Sequence, residues 1–467
     1  MILRLALRSL GTRPVRTLIL ACGFGLGIAI MAILLGVGEV ILNQARSPAL
    51  SGGGDVVVSS GFGAVENARF VMTSVLGGKD LRARMRAASP SKRATIYLIT
   101  PKKAWAVVAR AGVPSLERAV GDPETADIAT WIDAPADARW ASPNPADVLR
   151  TMDRFHEQPA LPEFAASWAE WLYFNGRTPD GRTRFYLTFL GGPVDSNGRR
   201  TMGVRLQLER DGQSVNYSTG AEVDSARVLA SAPDLDVGEN HVRLNGLRYE
   251  IDLRLPKEGA PGSWATGHLT LDAVAGRSLP PTVIHGARGW LSGYVVPVLS
   301  GAVSGKLEVD GATMPFDAMS GYHDHNWGFW QDVHWQWGQV AQQDLSFVWG
   351  RVFPPASVAD PERIPGFVGV LGPDGPLAVS TDVSIVEQDA DGSPRQVHVT
   401  ARGKGVDLSL AFAVDRAVRT ERGPARSSAG EPLVFLQLGG TYTVSGMAGG
   451  RTVDFTARGA AETFRPR

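Results

Sequence analysis

The middle of the chain concentrates side chains that can exchange protons or bind metal ions. Residues 322–337 hold three of the eight histidines and four of the twelve tryptophans. On a β-strand, alternate residues point to opposite faces. This period predicts two faces: Tyr322, Asp324 and Asn326 on one, and His323, His325 and Trp327 on the other. The first face would offer a carboxylic acid beside a phenol, and the second would offer two imidazoles.

Metal binding is one reading of the histidines. His323, His325 and His334 form one candidate zinc site, because His-x-His spacing can chelate zinc. No convincing fourth ligand accompanies them, so we predict neither a metal nor an organic cofactor. The single cysteine, Cys22, excludes an intramolecular disulfide, a Cys-ligated zinc site and an iron–sulfur cluster.

A second cluster sets a glutamate among aromatic residues, in the run SWAEWLYFNG at 167–176. Strand geometry directs Glu170 to one face and both Trp171 and Tyr173 to the other. Alternatively, Glu170 has a purely structural role, either capping a strand or pairing with an arginine.

The elements that must position these residues are mostly β-strands. From about residue 164 onward, many short runs alternate apolar and polar residues, and 54 glycines and 30 prolines suit frequent turns. Asp310-Gly311 is a hairpin signal between two such runs. About 300 residues of this pattern predict two antiparallel β units. Before them, residues 143–159 read as a helix that starts after Pro145 and stops before Pro159.

The N-terminal segment is typical of a membrane anchor. Residues 18–38 carry no charge, and their number is close to the ~20 needed to span the bilayer hydrocarbon. Four arginines precede this run: Arg4, Arg8, Arg13 and Arg16. The positive-inside rule therefore places the N-terminus in the cytoplasm and the body outside. A cleaved signal peptide is the main alternative, but its apolar region is usually about 7–15 residues long. A lipoprotein site at Cys22 and a buried core helix fit the long apolar run less well.

The same segment resembles part of a known transporter class. The run LALRSLGTRPVRTLILACGFGLGIAIMAILLGVGE, at 5–39, is similar to the first helix of permeases of the lipoprotein-exporter and macrolide-exporter type. Such permeases are parts of ABC transporters and need several spanning helices, and this sequence offers no second candidate. The resemblance implies association with an ABC permease or ATPase rather than transport by this chain alone.

The two aromatic clusters carry a second resemblance. SWAEWLYFNG and GYHDHNWG, followed by HWQWG, resemble signature stretches of a lipocalin-like superfamily. That superfamily includes carotenoid 1,2-hydratase (hydroxyneurosporene synthase), AttH-like proteins encoded near ABC exporters, and related Diels–Alderases. The resemblance covers roughly residues 164–467. It implies two consecutive lipocalin-like antiparallel β-barrels whose interiors receive apolar molecules.

The resemblance also implies roles for individual residues. In the hydratase, the aspartic acid of a Tyr-x-Asp arrangement protonates an isolated C=C bond, and water then adds. Carried onto this chain, the acid is Asp324 and the neighbouring phenol is Tyr322. A dry aromatic site keeps such an acid protonated, and π faces stabilise a carbocation. The hydratase's His-x-Trp pair is absent from the stretch WLSGYVVP at 290–297. The ligand-binding candidates are Glu170, Trp171, Tyr173, His323, His325, Trp327, Trp335 and Trp337.

We expect four regions: a cytoplasmic tip and anchor at 1–44, a mixed α/β juxtamembrane region at 45–160, and lipocalin-like β domains at 161–318 and 319–467. The leading hypothesis is a single-pass protein of the bacterial inner membrane. Its periplasmic body would bind an apolar lipid, terpenoid or polyene and work with an ABC exporter. A cofactor-independent hydratase and a structural accessory subunit of a permease complex are the alternatives. Basic and acidic residues number 47 each, so no basic excess points to nucleic acid.

Overall fold

The computed structural model describes residues 12, 14–46, 56–58, 68–76, 79–101, 103–122, 125, 128–141, 143–390, 392–420 and 433–466. The chain divides into two units. One comprises Met1–Val65 and Arg86–Ala141, and the other comprises Glu66–Met85 and Ser142–Arg467. The second unit holds both large sheets and all the candidate site residues.

The described helices are short, apart from the first. Within that helix, Pro14–Gly38 is long and apolar enough to cross a membrane, although a signal sequence would pass the same test. The α-helices are α1 (Pro14–Arg46), α2 (Ala68–Phe70), α3 (Lys79–Arg82), α4 (Pro114–Ala119), α5 (Ala138–Ala141), α6 (Pro145–Met152) and α7 (Ser225–Ser231). A π-helical turn covers Val71–Val75, and 3₁₀ turns cover Pro135–Asp137, Ala165–Ser167, Ala287–Gly289 and Pro361–Arg363.

Strands β1 (Ser91–Thr100) and β2 (Lys103–Gly112) form a hairpin in the first unit. The first large sheet contains eleven strands: β3 (Trp168–Arg177), β4 (Thr183–Val194), β5 (Arg199–Arg210), β6 (Gln213–Asp224), β7 (Leu235–Val237), β8 (Asn240–Asn245), β9 (Arg248–Pro256), β10 (Trp264–Asp272), β11 (Leu279–His285), β12 (Leu291–Val309) and β13 (Ala312–Phe329). The second contains nine: β14 (His334–Gln342), β15 (Leu345–Phe353), β16 (Phe367–Gly372), β17 (Gly375–Ser380), β18 (Asp382–Ala390), β19 (Ser393–Gly403), β20 (Val406–Thr420), β21 (Leu433–Ala448) and β22 (Arg451–Pro466).

The first sheet curves into a nearly closed barrel. Its antiparallel strands follow the order β6-β5-β4-β3-β13-β12-β10-β9-β8-β7, and β11 pairs with β12. A bridge between Tyr217 and Lys257 joins β6 to the segment after β9. Alternate residues of these strands are buried, because one face of each strand packs into a shared apolar core.

The second sheet is a half-barrel, with the order β17-β16-β15-β14-β22-β21-β20-β19-β18. Its concave face packs its own apolar core, in which the Trp349 indole donates a hydrogen bond to the Tyr442 hydroxyl at 3.1 Å. The predicted fold class, mainly β with two consecutive antiparallel units after an N-terminal apolar helix, is therefore confirmed.

Strand β13 carries the central cluster and follows a tight turn, and the β12–β13 pairing shifts register three times along its length. Asp310 and Gly311 join β12 to β13 with φ values of 50° and 80°, as a two-residue hairpin turn of mirror-image type requires. All of β13 lies in the first sheet, and the second sheet begins at His334. The predicted division after residue 318 concerns domains rather than sheets, and it stays a prediction.

Helix α6 is shorter than the sequence suggested. The Asn144 side chain caps its start by accepting a hydrogen bond from the backbone amide of Ala146. The helix ends at Met152, so its predicted extension toward Pro159 is wrong. Asp153 leaves the helix because its buried carboxylate is bonded to Tyr249 and His323 of the first sheet. After this early end Asp153 and Phe155 are buried against the first sheet, while Arg154 and Glu157 are exposed.

Candidate functional site

Two adjacent antiparallel strands, β3 and β13, position the candidate residues. Tyr173 pairs with Asp324, and Glu170 pairs with Trp327, in an unbroken register. Side chains therefore collect on two opposite faces, as the strand period predicted. The acid cluster faces the second sheet: Trp171, Tyr173, Tyr294, Tyr322, Asp324, Asn326, Trp337 and Glu462. The histidine cluster faces the core of the first sheet: Asp153, His156, Glu170, His323 and His325.

A chain of hydrogen bonds ends on Asp324. The Trp337 indole donates to the Tyr294 hydroxyl at 3.0 Å, and the Tyr294 and Tyr322 hydroxyls lie 2.7 Å apart. Tyr322 in turn donates to Asp324 Oδ2 at 2.8 Å, and Asn326 donates to Asp324 Oδ1 at 2.7 Å. Both carboxyl oxygens of Asp324 are therefore held by neutral donors, and no arginine or lysine is among these partners.

This environment favours the neutral acid. Burial raises the pKa of the Asp324 carboxyl well above its usual value; the Tyr322 hydrogen bond acts against this rise, and the Glu462 carboxylate adds to it. Glu462 accepts a hydrogen bond of 2.7 Å from the Tyr173 hydroxyl, which ties the two sheets together. Asp324 thus has the character of a proton donor in a dry aromatic setting.

Beside the acid cluster, five half-buried aromatic rings form a continuous strip across the two sheets. We call the aromatic strip Trp171, Trp330, Trp335, Phe435 and Phe464. Ring centroids are 4.6 Å apart for Trp171 and Trp330, 5.8 Å for Trp330 and Trp335, and 4.5 Å for Trp335 and Phe464. Trp171 stands opposite Asn326 in the strand register, so one end of the strip adjoins Asp324.

The other end of the strip borders a cavity of about 640 Å³. Trp335, Phe353, Phe464 and several prolines form its apolar wall. Polar groups also line it, including Gln336, Thr463 and an ion pair between Arg465 Nη1 and Glu387 Oε2 at 3.1 Å, so the lining combines apolar and polar groups.

The histidine cluster is a buried network on the opposite face. His323 Nε2 lies 2.9 Å from Asp153 Oδ2, and the Tyr249 hydroxyl donates to the same oxygen at 3.0 Å. His323 Nδ1 lies 2.9 Å from the carbonyl oxygen of Tyr173, and its ring stacks on Phe174 at 4.1 Å. Every polar atom of the His323 ring is therefore engaged.

His325 lies between two carboxylates. Its Nε2 is 2.9 Å from Glu170 Oε1, and its Nδ1 is 3.1 Å from Asp153 Oδ1. The second contact is an ion pair rather than an aligned hydrogen bond. Glu170 Oε1 also lies 2.8 Å from His156 Nδ1, and Glu170 accepts a hydrogen bond from the His156 backbone amide.

These contacts determine which groups of the cluster are charged. Burial alone would raise the pKa of Asp153, but its contacts with His323 and His325 lower it to about 2. The pKa of Glu170 is lowered in the same way, against its burial, by His156 and His325. Burial would lower the pKa of His325, but Asp153 and Glu170 raise it to about 9. At neutral pH the network thus holds an imidazolium between two carboxylates.

The structure brings the predicted residues into two groups rather than one. Tyr322, Asp324, Trp171, Tyr173, Trp335 and Trp337 lie at the acid cluster and aromatic strip, while Glu170, His323 and His325 lie in the histidine cluster. Trp327 is on the histidine side, where it stacks on His156 at 4.0 Å. His334 begins β14 and does not join the metal-ligand group found among the described residues. The individual roles of these residues stay predictions.

Sequence reasoning missed four members of the two clusters: Asp153, His156, Tyr294 and Glu462. Asp153 and His156 follow Met152, the last buried residue of α6. Their position just after the buried face of an amphipathic helix was the signal in the sequence that could have identified them. Tyr294 and Glu462 lie on strands whose residues alternate between two faces. Only tertiary packing distinguishes them from the other residues on the same face.

Comparison with known proteins gives structural neighbours only. The chain matches no family model and no curated protein sequence. It is similar to an AttH-like protein from Nitrosomonas europaea, at 16% identity and a TM-score of 0.41, over 66% of this chain and 96% of that one. It is also similar to CghA crystallised with Sch210972, at 12% identity and a TM-score of 0.42, over 67% of this chain and 93% of that one. A third similar structure is kievitone hydratase from Nectria haematococca, at 15% identity and a TM-score of 0.42, over 64% of this chain and 89% of that one. These values are too low to assign the chain to a family or to transfer an activity to it.

Proposed function

We propose that this chain binds an apolar small molecule of the lipid, terpenoid or polyene class at the aromatic strip. The observation that carries the proposal is the cavity of about 640 Å³ whose wall includes Trp335 and Phe464 of that strip. Small-molecule sites in proteins commonly enclose about 300–1,000 Å³ and are lined by aromatic side chains. Large rigid rings contribute most of the apolar contact area in such sites.

The polar groups of the cavity would orient the ligand. Glu387 and Arg465 are paired there, and burial raises the pKa of the Glu387 carboxyl. A few placed polar groups in an otherwise apolar site fix the direction in which a ligand enters. A molecule with a long apolar body and one hydroxyl or carbonyl end therefore fits this cavity better than a pure hydrocarbon does.

Shortening Trp335 tests the binding proposal. Trp335→Ala is expected to weaken binding of N-phenyl-1-naphthylamine, an apolar fluorescent dye, by about 10- to 100-fold. Removing a buried large apolar side chain loses about 1.5–3 kcal/mol, and each 1.4 kcal/mol is tenfold in Kd. Fluorescence titration of the full chain in detergent measures the change.

Trp264→Ala is the matched control. Trp264 is 39% exposed on β10 and lies over the Arg254 guanidinium, away from the strip. This variant should bind the dye as the wild type does. Equal binding by both variants, or absence of dye binding to the wild type, would contradict the proposed site.

A second function, acid-catalysed hydration of a C=C bond, is favoured by the state of Asp324. Its carboxyl is buried, held by Tyr322 and Asn326, and kept neutral by its surroundings. In the proposed reaction the carboxyl gives its proton to one alkene carbon, and the other carbon becomes a carbocation. Water adds to that carbocation, and the carboxylate recovers a proton from the added water. The products are an alcohol and the original acid, so no cofactor is consumed.

The proposal extends to cellular location. Residues 18–38 would anchor the chain in the bacterial inner membrane, with the N-terminus cytoplasmic, the body periplasmic and an ABC exporter as partner. Support comes from the apolar stretch Pro14–Gly38 and the four arginines that precede residue 18. A tethered binding site would spare an apolar ligand passage through water.

Removing the anchor tests that location. Deletion of residues 1–44 is expected to move the protein from the alkali-resistant membrane fraction to the soluble fraction, because the spanning segment is lost. A wild-type protein found soluble, with its N-terminus cleaved after residue 38, would overturn the anchor. Crosslinking of the intact chain in membranes would identify a permease or ATPase partner, and its failure would remove the exporter link alone.

A further inference from the structure

Three potential metal-ligand atoms meet in the histidine cluster, away from the acid cluster. The ligand atoms of His156, Glu170 and His325 all lie within 4.8 Å of one another. Both imidazoles are directed at the same oxygen, Glu170 Oε1, at 2.8 Å and 2.9 Å. Two rings converging on one carboxylate oxygen leave their nitrogens facing a common point.

The three residues come from elements that hold them firmly. Glu170 and His325 stand on the paired strands β3 and β13, and both side chains are fully buried. His156 belongs to the segment that follows α6, and its ring stacks on Trp327 at 4.0 Å with an interplanar angle of 11°. A hydrogen bond from its own backbone amide to Glu170 also fixes the carboxylate. Such support is what a precise ligand set requires.

The surroundings also contain the outer partner that metal-binding histidines usually have. A histidine that ligates through one ring nitrogen commonly donates its other N–H to a carboxylate, which sets the tautomer and the ring direction. His325 directs Nε2 toward Glu170 and Nδ1 toward Asp153 Oδ1, 3.1 Å away. Neither His325 Nδ1 nor Asp153 Oδ1 has an aligned hydrogen bond among the described residues. A small turn of the His325 ring on binding a metal ion could therefore form a hydrogen bond from Nδ1 to Asp153.

We propose that His156, Glu170 and His325 bind a divalent transition-metal ion of the zinc type. Two imidazoles and one carboxylate form a ligand set that zinc accepts in sites with three protein ligands. A tetrahedral ion with ligands at about 2.0–2.1 Å needs neighbouring ligand atoms about 3.3 Å apart. The nitrogen–oxygen distances of 2.8 and 2.9 Å need to open by only about half an ångström, within reach of ordinary side-chain adjustment.

The ion would fasten the segment after α6 to the first sheet. It would replace the two ring protons now directed at Glu170, while Asp153 would keep the outer N–H of His325. The His156 side chain is 35% exposed, which leaves a path for the ion and room for a water as fourth ligand. Since Asp324 lies on the opposite face of β13, this site is separate in space from the proposed ligand-binding and hydration sites.

Metal analysis of the full chain, purified in detergent without a histidine tag, tests the site directly. After treatment with EDTA and reconstitution with Zn²⁺, mass spectrometry of the metal content is expected to give one zinc ion per chain. Co²⁺ in place of Zn²⁺ should give visible absorption bands of tetrahedral intensity. Zn²⁺ should also raise the melting temperature relative to EDTA, because an ion that binds only the folded state stabilises it.

Variants locate the ion. His156→Gln, the least buried change, is expected to weaken Zn²⁺ affinity by more than about 100-fold, and Asp153→Asn by about 10- to 100-fold, the range for outer partners. His268→Gln is the matched control, because His268 pairs with Asp252 at 2.8 Å on the exposed side of the same sheet. Its affinity should equal that of the wild type. Absence of zinc and of the cobalt bands in the wild type would overturn the proposal, as would zinc that His156→Gln leaves in place.

Discussion

Replacing Asp324 by asparagine is expected to lower the rate of C=C hydration by about 10²–10⁴-fold, the usual contribution of a general acid. Asparagine keeps the size of the side chain and an oxygen for Tyr322, but it has no acidic proton to give. The measurement is conversion of an acyclic polyene such as lycopene by the full chain in detergent. Mass spectrometry would detect the added water, with oxygen-18 water as label.

A matched variant separates lost acid from general damage. Asp317 is an exposed residue on the same strand, β13, and Asp317→Asn should leave hydration unchanged. Binding of N-phenyl-1-naphthylamine should stay at the wild-type level in both variants. If Asp324→Asn hydrates as fast as the wild type, the acid role is wrong. If no polyene is hydrated by the wild type, the binding function stands alone.

Stability against pH gives an independent check on the same residue. The raised pKa of Asp324 means that the folded chain holds this proton more tightly than the unfolded chain. Between the unfolded and folded pKa values the folded state therefore binds more protons, and stability falls as pH rises. Asparagine does not titrate, so the variant should gain stability relative to the wild type as pH rises above about 4. The gain has a ceiling of about 1.4 kcal/mol per pH unit. Urea unfolding at several pH values measures it.

The sequence predicted the structure best where the conformation depends only on residues that are neighbours in the chain. Strand period two placed Tyr322 and Asp324 on one face of β13 and His323 and His325 on the other, and the hydrogen bonds follow that division. The turn at Asp310-Gly311 is equally local, because positive φ at two successive positions favours such residues. Within residues 322–327 the period alone predicts the two faces, whereas register shifts between β12 and β13 separate this run from the turn.

The partners across those faces could not be predicted in the same way. Asp153 reaches His323 over a sequence separation of 170 residues, and Tyr173 reaches Glu462 over 289. No periodic signal encodes such distances, since they depend on how the sheets curve. The end of α6 shows the same limit. The sequence pattern predicted a helix that continued toward Pro159, whereas the helix ends at Met152 and the next residue, Asp153, makes buried contacts. Sequence reasoning therefore found six of the eight residues of the acid cluster and three of the five residues of the histidine cluster.

Removing the Asp153 carboxylate is expected to cost about 3–5 kcal/mol of unfolding free energy, as for other buried ion pairs that lose one partner. Asp153→Ala leaves His323 and the Tyr249 hydroxyl without their acceptor, and it leaves His325 without one of its two carboxylate partners. These groups are fully buried and cannot turn to water. Urea unfolding of the full chain in detergent, with EDTA present to exclude any metal contribution, measures the loss.

A surface pair of the same chemistry provides the comparison. Asp252 and His268 lie 2.8 Å apart, with side chains 56% and 47% exposed. Asp252→Ala should cost less than about 1 kcal/mol, because solvent screens exposed pairs and hydrates the histidine that remains. Asp153→Asn should fall between the two, since an amide can still accept one of the buried hydrogen bonds.

The contrast between the two aspartates identifies what holds residues 153–158 against the first sheet. Phe155 is also buried there, within the apolar core of the first sheet. If apolar packing alone fixed this segment, Asp153→Ala would cost no more than Asp252→Ala, and the buried network would contribute nothing beyond a surface pair. A difference of several kcal/mol would show instead that the carboxylate anchors the segment. In that case the arrangement of His156 beside Glu170 depends on Asp153, because His156 lies on the same short segment.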